Sequence, residues 1–455
     1  MARRLSAVAE TTGGRLTGPD AAFDAVATDT RTLSPGSLFV AIEGERFDGN
    51  DYLGAAAEKG AAGAMVSRYQ DLPLPLPQIE VDDTRRAFGA MARAWRENFD
   101  IPVIAVTGSA GKTTVKELIG AILRIGRKVC VTEGNLNNDI GVPLCLMRLD
   151  ASDEAMVVEL GANHAGEIAN LGSLVEPTIA VITNAGAAHL EGFGSVAGVA
   201  TAKGELIDCL PANGVAVLNA DDAFFEDWRR RAGRRTVLSF GMSAAADFRL
   251  IGESESGNGS SRFVVGTPEG PGIDIRFALL GRANLVNALA AIAAASAVGA
   301  TAREIRRGLE QVRPVEGRMQ TRRGLRGATL IDDSYNANPS AAKVALDYLS
   351  GCSGKRIFAL GDMLELGDEA AALHREIGEY ARGRCDALIA IGDLAGEAAD
   401  VYGSGATRYD NINAAARTLR EELAADVTVL IKASRSMGLE RLVAALADAG
   451  GSDQC

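Results

Sequence analysis

The sequence predicts an α/β protein of three domains. These are a small mixed α/β domain over residues 1–98, a central domain over 99–313 with a mostly parallel sheet plus an antiparallel meander, and a C-terminal doubly wound, Rossmann-like domain over 314–455. Three observations predict it. At 455 residues the chain exceeds what one hydrophobic core supports and falls in the range of about three domains. Two stretches alternate apolar β-type runs with helical patterns, the signature of parallel sheets covered by helices. The first hundred or so residues lack that rhythm.

Taken in order, residues 1–98 mix short strands, turns and Ala-rich helical patterns, with the proline-bearing connector "LPLPLPQIEV" at 72–81. From Ile101 the runs "IPVIAVT", "KVCVT", "AMVVEL", "TIAVITN", "GVAVLNA" and "TVLSFG" follow, each separated by a helical pattern. After Gly241, "DFRLIGESESGNGSSRFVVGTPEGPGIDIRFALLG" alternates strands with Gly/Ser turns and reads as the meander. Helices after Asn284 close the central domain. The segment "VRPVEGRMQTRRGLRG" (312–327) carries a proline, glycines and charges, which places a boundary near Pro314. Beyond it "ATLIDDSY", "KRIFALGD", "DALIAIGD" and "VTVLIKAS" restart the β/α rhythm.

Composition excludes several classes. With 47% apolar and 23% charged residues the chain is an ordinary globular protein. A formal net charge of −12 argues against nucleic acid or an anionic lipid surface as main partner. The one dense basic run, "WRRRAGRR" (228–235), reads as a solvated helix end. Cys130, Cys145, Cys209, Cys352, Cys385 and Cys455 show no metal-finger spacing and read as reduced thiols. The N-terminal "MARRLSAVAETTGG" has no apolar h-region, and no run reaches the ~18 uninterrupted apolar residues of a membrane span. The nearest, "LVNALAAIAAASAVGA" from Leu285, is broken by Asn287 and Ser296 and fits a packed helix. The expectation is a cytoplasmic protein with no membrane span.

The informative stretch is "VIAVTGSAGKTTVKELIGAIL" at 103–123. A strand ending at Thr107 runs into a turn, and Val115, Leu118, Ile119, Ile122 and Leu123 then mark one buried helix face. Between them, Gly108, Ser109, Ala110 and Gly111 form a loop whose N–H groups can converge on an anion at the helix N-terminus. Lys112 supplies charge to β/γ-phosphates, Thr113 a hydroxyl for Mg²⁺, and Thr114 completes the motif. A full P-loop needs glycine where Val106 stands, and a plain strand–turn–helix with a surface lysine is the competing reading. No G-x-G-x-x-G occurs there, which disfavours a dinucleotide loop. ATP, ahead of GTP, is the expected ligand.

Polar residues also cluster at later strand ends, where open α/β sheets place ligands. Glu159 ends one strand, and Asn184 and His189 follow another. Singly, each is ordinary. With Thr113 they could complete an oxygen/nitrogen shell for Mg²⁺ or Mn²⁺.

The ordered motifs "TGSAGKTTVKE", "GNLNNDIGVPL", "ELGANHAGEI", "NAGAAHLEGFGSVAGVATAKGEL", "RANLVNALAA", "DDSYNANPSA", "LGDMLELG" and "KASRS" resemble those of the Mur ligases, over nearly the whole chain. The resemblance implies ATP-driven amide synthesis in peptidoglycan assembly, in the branch that joins D-alanyl-D-alanine to UDP-N-acetylmuramoyl-tripeptide through an acyl phosphate. It also implies a monomer. Two alternatives stand beside it: the sister ligase that adds the third peptide residue, whose D-N-P-R signature is replaced here by "SYNANPS", and a non-catalytic P-loop protein using nucleotide as a switch.

By the same resemblance, Lys112, Glu159, His189 and Lys203 are catalytic. One Mg²⁺ would lie near Thr113 and Glu159, and a second near His189 and Lys203, the latter as a carbamate. Lys203 otherwise reads as a solvated helical lysine. Asn284, Asn287, Asp332 and Tyr335 are adenine candidates, with helix capping as the other reading of Asn284. Arg318 would reach ATP phosphate. Asn336, Asn338, Lys432, Ser434 and Arg435 would face the dipeptide, although Ala433 departs from the family's usual glycine. Thr30 and Arg31 would contribute to the uridine-nucleotide cradle, and Asn135, Asn137 and Asn138 to the muramoyl-peptide side.

Overall fold

The computed structural model describes residues 3–44, 47–256, 260–268 and 270–448. Cys455 lies outside them; the other five cysteines are free thiols. In the N-terminal domain β1 (Arg3–Arg4) pairs with β3 (Ala22–Phe23). A second sheet has the order β2-β7-β6-β5-β4, from β2 (Arg15–Thr17), β4 (Val26–Ala27), β5 (Leu38–Val40), β6 (Gly63–Val66) and β7 (Gln78–Glu80). The helix Thr84–Arg96 starts on Asp83, whose carboxylate accepts the N–H groups of Arg85 and Arg86. It buries Phe88, Met91 and Ala92 between this domain and the helices Gly141–Leu146 and Glu167–Val175 of the next. Arg96, buried, donates to the carbonyls of Val175 and Phe99 at 3.1 and 2.6 Å. One apolar core therefore runs from Leu5 to Ala232 across the expected boundary at residue 98.

The central strands are β8 (Val103–Thr107), β9 (Val129–Val131), β10 (Ala155–Glu159), β11 (Ile179–Ile182), β12 (Val215–Asn219), β13 (Thr236–Gly241), β14 (Phe248–Ser256), β15 (Ser260–Thr267) and β16 (Gly270–Phe277). Their order is β16-β15-β14-β13-β12-β11-β8-β10-β9. Strands β8 to β14 are parallel, and β14 to β16 form the antiparallel meander. β8 lies between β10 and β11, so the loops after these three strands converge at one point on the sheet's C-terminal edge. On one face the helix Lys112–Leu123 buries Val115, Leu118, Ile119, Ile122 and Leu123, the stripe read from the sequence. The Ala-rich helix Arg282–Ala297 packs beside it and is buried through Ala288–Ala295 because its small side chains admit close neighbours. Among the described residues no helix is long and apolar enough to cross a membrane. The basic run lies on the helix Phe225–Ala232, where Arg229, Arg230 and Arg231 pair with Glu226, Asp227 and Asp208 while Trp228 is buried.

The C-terminal sheet has the order β17-β18-β22-β19-β20-β21, from β17 (Gln320–Arg323), β18 (Thr329–Asp333), β19 (Lys355–Gly361), β20 (Ala387–Ile391), β21 (Ala406–Tyr409) and β22 (Val427–Lys432). Only β17 is antiparallel. Apolar cores line both faces. The two edge strands escape sequence reading because "QTRR" and "ATRY" need no apolar side chains at an exposed edge.

His374 is wholly buried in this domain. Its Nε2 accepts the Met363 N–H at 2.9 Å and its Nδ1 donates to the Ala370 carbonyl at 2.7 Å, so the ring is neutral. Burial pushes its pKa below the ordinary histidine value. The unfolded chain then binds more protons than the native one as pH falls, and stability is lost below about pH 6.5. The expected outcome is a denaturation midpoint that declines from about pH 7 to about pH 5 more steeply in the natural chain than in His374→Gln, whose amide keeps one donor and one acceptor. Equal slopes would remove His374 as the cause.

Candidate active site

The loop after β8 is built by its neighbours. Thr107 Oγ1 donates to the Leu160 carbonyl at 2.9 Å, which ties the end of β8 to β10. Gly108 (φ 147°) lies against Thr183, where any side chain would collide with the threonine hydroxyl. Thr183 Oγ1 donates to the Ala110 carbonyl at 2.6 Å. Asn184 brackets the same residue: its Oδ1 accepts the Ala110 N–H at 2.9 Å and its Nδ2 donates to the Ala110 carbonyl at 3.1 Å. Ser109 is held by the Asn184 carbonyl and by Gly186. Gly111 (φ 82°) caps the helix and abuts Asn287 on the Ala-rich helix. The first N–H groups of Lys112–Leu123 thus face the cleft without intrahelical acceptors, at the positive end of the helix.

Lys112 is partly buried and folds back to donate to the Gly108 carbonyl at 2.7 Å. Burial lowers its pKa from the ordinary lysine value, Glu159 opposes that, and Arg318 adds to it. An anion on the loop reverses this cost and is what the geometry favours.

Beside the loop, Glu159 is buried at the end of β10. Asn137 Nδ2 donates to its Oε1 at 2.8 Å, while Oε2 is buried with no partner among the described residues. Asn137 therefore belongs to this cluster. Lys203, on the helix Val196–Asp208, is buried and not solvated; among the described residues its Nζ reaches only the Ala162 carbonyl, at 3.4 Å, and it lies 5.2 Å from the Phe193 ring centroid. Burial, reinforced by Lys112, lowers its pKa to about 7. His189 has left-handed backbone (φ 52°) ahead of the short helix Leu190–Phe193. Its Nδ1 is 2.6 Å from Glu365 Oε2 of the C-terminal domain, but off the ring N–H direction, which leaves Nδ1 without a well-formed hydrogen bond. Among the described residues no group of three or more His, Cys, Asp or Glu forms a ready cage for a metal. The orphaned Glu159 oxygen and the Thr113 hydroxyl fit a hard cation that completes its shell with substrate oxygens, as Mg²⁺ does.

The C-terminal domain closes the cleft. Arg318 Nη2 donates to Thr113 Oγ1 at 2.9 Å, and its guanidinium lies 4.3 Å from the Tyr335 ring centroid. Arg435, exposed, lies 5.3 Å from the same ring. Asn287 Nδ2 donates to Asn284 Oδ1 at 3.2 Å, and Asn284 donates to the Leu280 carbonyl at 2.8 Å, so Asn284 does not cap its helix. Other expected contacts are engaged in structure. Asp332 accepts from Ser334, Asn338 caps the helix Pro339–Ser350, Asn138 accepts the Gly141 N–H, and Ser434 Oγ accepts the Leu364 N–H. The Lys432 ammonium is buried against Asp333 Oδ2 at 2.6 Å. The Asn336 carbonyl accepts from Lys432, and its side chain from the Ala337 N–H. Thr30 and Arg31 lie in the N-terminal domain, where Arg31 pairs with Asp29 and the Thr30 carbonyl accepts from Lys59; Asn135 is exposed. Sequence reasoning missed Thr183, Asp333 and Glu365. Cavities of about 440 and 420 Å³ lie along β9 and beneath Arg3 and Trp95, and neither is lined by the loop.

Three family models match the chain: "Mur ligase family, catalytic domain" over 23–96, "Mur ligase middle domain" over 106–295, and "Mur ligase, glutamate ligase domain" over 317–435. The chain is 43% identical to the UDP-N-acetylmuramoyl-tripeptide–D-alanyl-D-alanine ligase of Escherichia coli (strain K12), covering 98% of both chains. It is 34% identical to the enzyme of that name from Bacillus subtilis (strain 168), covering 97% of both. Its fold superposes on a crystal structure of MurF from Acinetobacter baumannii with a TM-score of 0.91, at 32% identity over 98% of each chain. It also superposes on the MurF ligase from Thermotoga maritima in complex with ADP with a TM-score of 0.83, at 28% identity over 92% of this chain and 96% of that one. The chain belongs to the Mur ligase family.

Proposed function

We propose that this chain joins D-alanyl-D-alanine to UDP-N-acetylmuramoyl-tripeptide at the cost of ATP, with ADP and phosphate as the other products. The observation that carries the reading is the anion cradle of Gly108–Thr113 beside a buried carboxylate oxygen that has no partner, in a chain similar over its whole length to ligases of that name. The same relatives favour it over the sister ligase and over a nucleotide switch. The chain works as a cytoplasmic monomer on small-molecule substrates.

A carboxylate does not react with an amine. The tripeptide's terminal carboxylate oxygen attacks the γ-phosphorus, the bond from that phosphorus to the β–γ bridging oxygen breaks, and ADP leaves. The dipeptide amine then attacks the acyl carbon, a proton departs from nitrogen, and phosphate leaves. The protein's work is alignment and charge stabilisation. The helix N-terminus and Lys112 hold the β- and γ-phosphates, and Arg318 meets the same phosphates from the C-terminal domain. Thr113 and Glu159 would hold one Mg²⁺, with Mn²⁺ as substitute, and His189 and carbamylated Lys203 a second. Bound there, the cations neutralise charge on the transferring phosphoryl group. An unprotonated amine is the form that adds CO₂, and the buried Lys203, with its pKa near 7, supplies it. Addition forms an N–C bond, releases a proton and replaces a buried cation by an oxygen ligand.

Lys112→Ala is expected to lower kcat for dipeptide-dependent phosphate release by about 10²–10³-fold. Turnover at the natural rate, or phosphate release that does not need the dipeptide, would sink the ligase reading. Exposure to ¹³C-bicarbonate is expected to give one protein-bound carbamate resonance that Lys203→Ala lacks; a resonance that survives the substitution would place the carbamate elsewhere.

A further inference from the structure

We infer that the buried Lys432–Asp333 pair is a clamp that aims Arg318 at the nucleotide loop, which makes both residues positioning residues for the ATP phosphates and not contacts of the incoming dipeptide. The inference rests on the ATP-dependent reading above. Arg318 lies in the segment that leads from the central domain into β17, and the backbone on both sides of it is left-handed: φ is 71° at Gly317 and 50° at Met319. L side chains rarely adopt that conformation, so the bend must be imposed from outside.

Two hydrogen bonds impose it. The Tyr335 N–H donates to the Gly317 carbonyl at 3.0 Å, and the Met319 N–H donates to Asp333 Oδ1 at 3.1 Å. The other Asp333 oxygen accepts from Lys432 Nζ at 2.6 Å, and Lys432 also donates to the Asn336 carbonyl at 2.9 Å. The Lys432 and Asp333 side chains are only 3% and 13% exposed, and two of the three ammonium donors are already engaged, by Asp333 and the Asn336 carbonyl. Gly317 fits because a Cβ there would lie 3.1 Å from Tyr335 Cβ. Between these anchors the Arg318 guanidinium rests on the Tyr335 ring and donates to Thr113. Its buried Nε has no partner among the described residues, so the fork keeps a donor for a phosphate oxygen.

The test uses the full chain and reads two things: affinity for a non-hydrolysable ATP analogue with Mg²⁺ by calorimetry, and separate KM values for ATP and D-alanyl-D-alanine. Asp333→Asn is expected to weaken the analogue about tenfold while the dipeptide KM stays within about twofold, because a charge-assisted contact from Arg318 is misplaced. Combined with Arg318→Ala it should weaken the analogue no further than Arg318→Ala alone. Gly317→Ala, which leaves the ion pair intact and strains only the bend, should reproduce the loss and decides the matter if Asp333→Asn does not fold. Unchanged analogue affinity with a raised dipeptide KM would return Lys432 and Asp333 to the dipeptide pocket, and additive losses would also overturn the clamp. Analogue binding needs no turnover. Failure of the natural chain to turn over with dipeptide would therefore sink the ligase reading and leave the clamp to be judged by affinity.

Discussion

Lys112 is a partly buried ammonium at the positive end of a helix, and among the described residues no carboxylate pairs with it. Two positive features placed together are unfavourable until an anion joins them. The surroundings hold them together regardless. The helix behind Lys112 is fixed by five buried aliphatic side chains, and the loop before it is fixed by Thr183 and Asn184 from the adjacent strand end. The cradle is preorganised, so a polyphosphate gains its contacts without a cost of ordering the loop.

The three domains are joined by two different kinds of contact. The N-terminal and central domains share one apolar core, bridged by the helix Thr84–Arg96, which makes them one platform. The C-terminal domain keeps its own cores and meets the platform mainly through polar side chains: Arg318 on Thr113, Glu365 beside His189, and Ser340 close to Gly186, with the Tyr348 ring against Gly281. A polar seam of this sort exposes little apolar surface when it parts, which is the property that permits one domain to move against another. The proposed reaction needs such a seam, because its three substrates must enter a cleft that later excludes water.

Much of this was legible in the sequence, for definite reasons. Parallel strands buried on both faces write continuous apolar runs, and the helix after the loop writes its stripe at Val115, Leu118 and Ile122; both patterns are local. The glycines and lysine of the loop are also local. The edge strands Gln320–Arg323 and Ala406–Tyr409 carry no such pattern. The pairing of Asn137 with Glu159 is not legible because the two are 22 residues apart, and Asp333 meets Lys432 across 99. A polar residue announces that it needs a partner and not which one. Lys203 shows the limit most clearly: nothing in its helix predicts burial, and only the packing reveals an amine short of charge stabilisation.

Backbone strain follows the polar seam. Of the five non-glycine residues with positive φ among the described residues, His189, Met319 and Glu365 lie on it. Each costs roughly 1–2 kcal/mol and persists only where other contacts over-determine it. At Glu365 those contacts come from the two residues just before it. Met363 is held by the buried His374 and Leu364 by Ser434 Oγ, so the chain leaves both anchors already turned toward His189. At Met319 the anchor is Asp333, fixed in turn by Lys432. Lys432 and Ser434, two residues apart, thus bear on two separate stretches of backbone: Lys432 through Asp333 on the segment carrying Arg318, and Ser434 directly on the loop carrying Glu365.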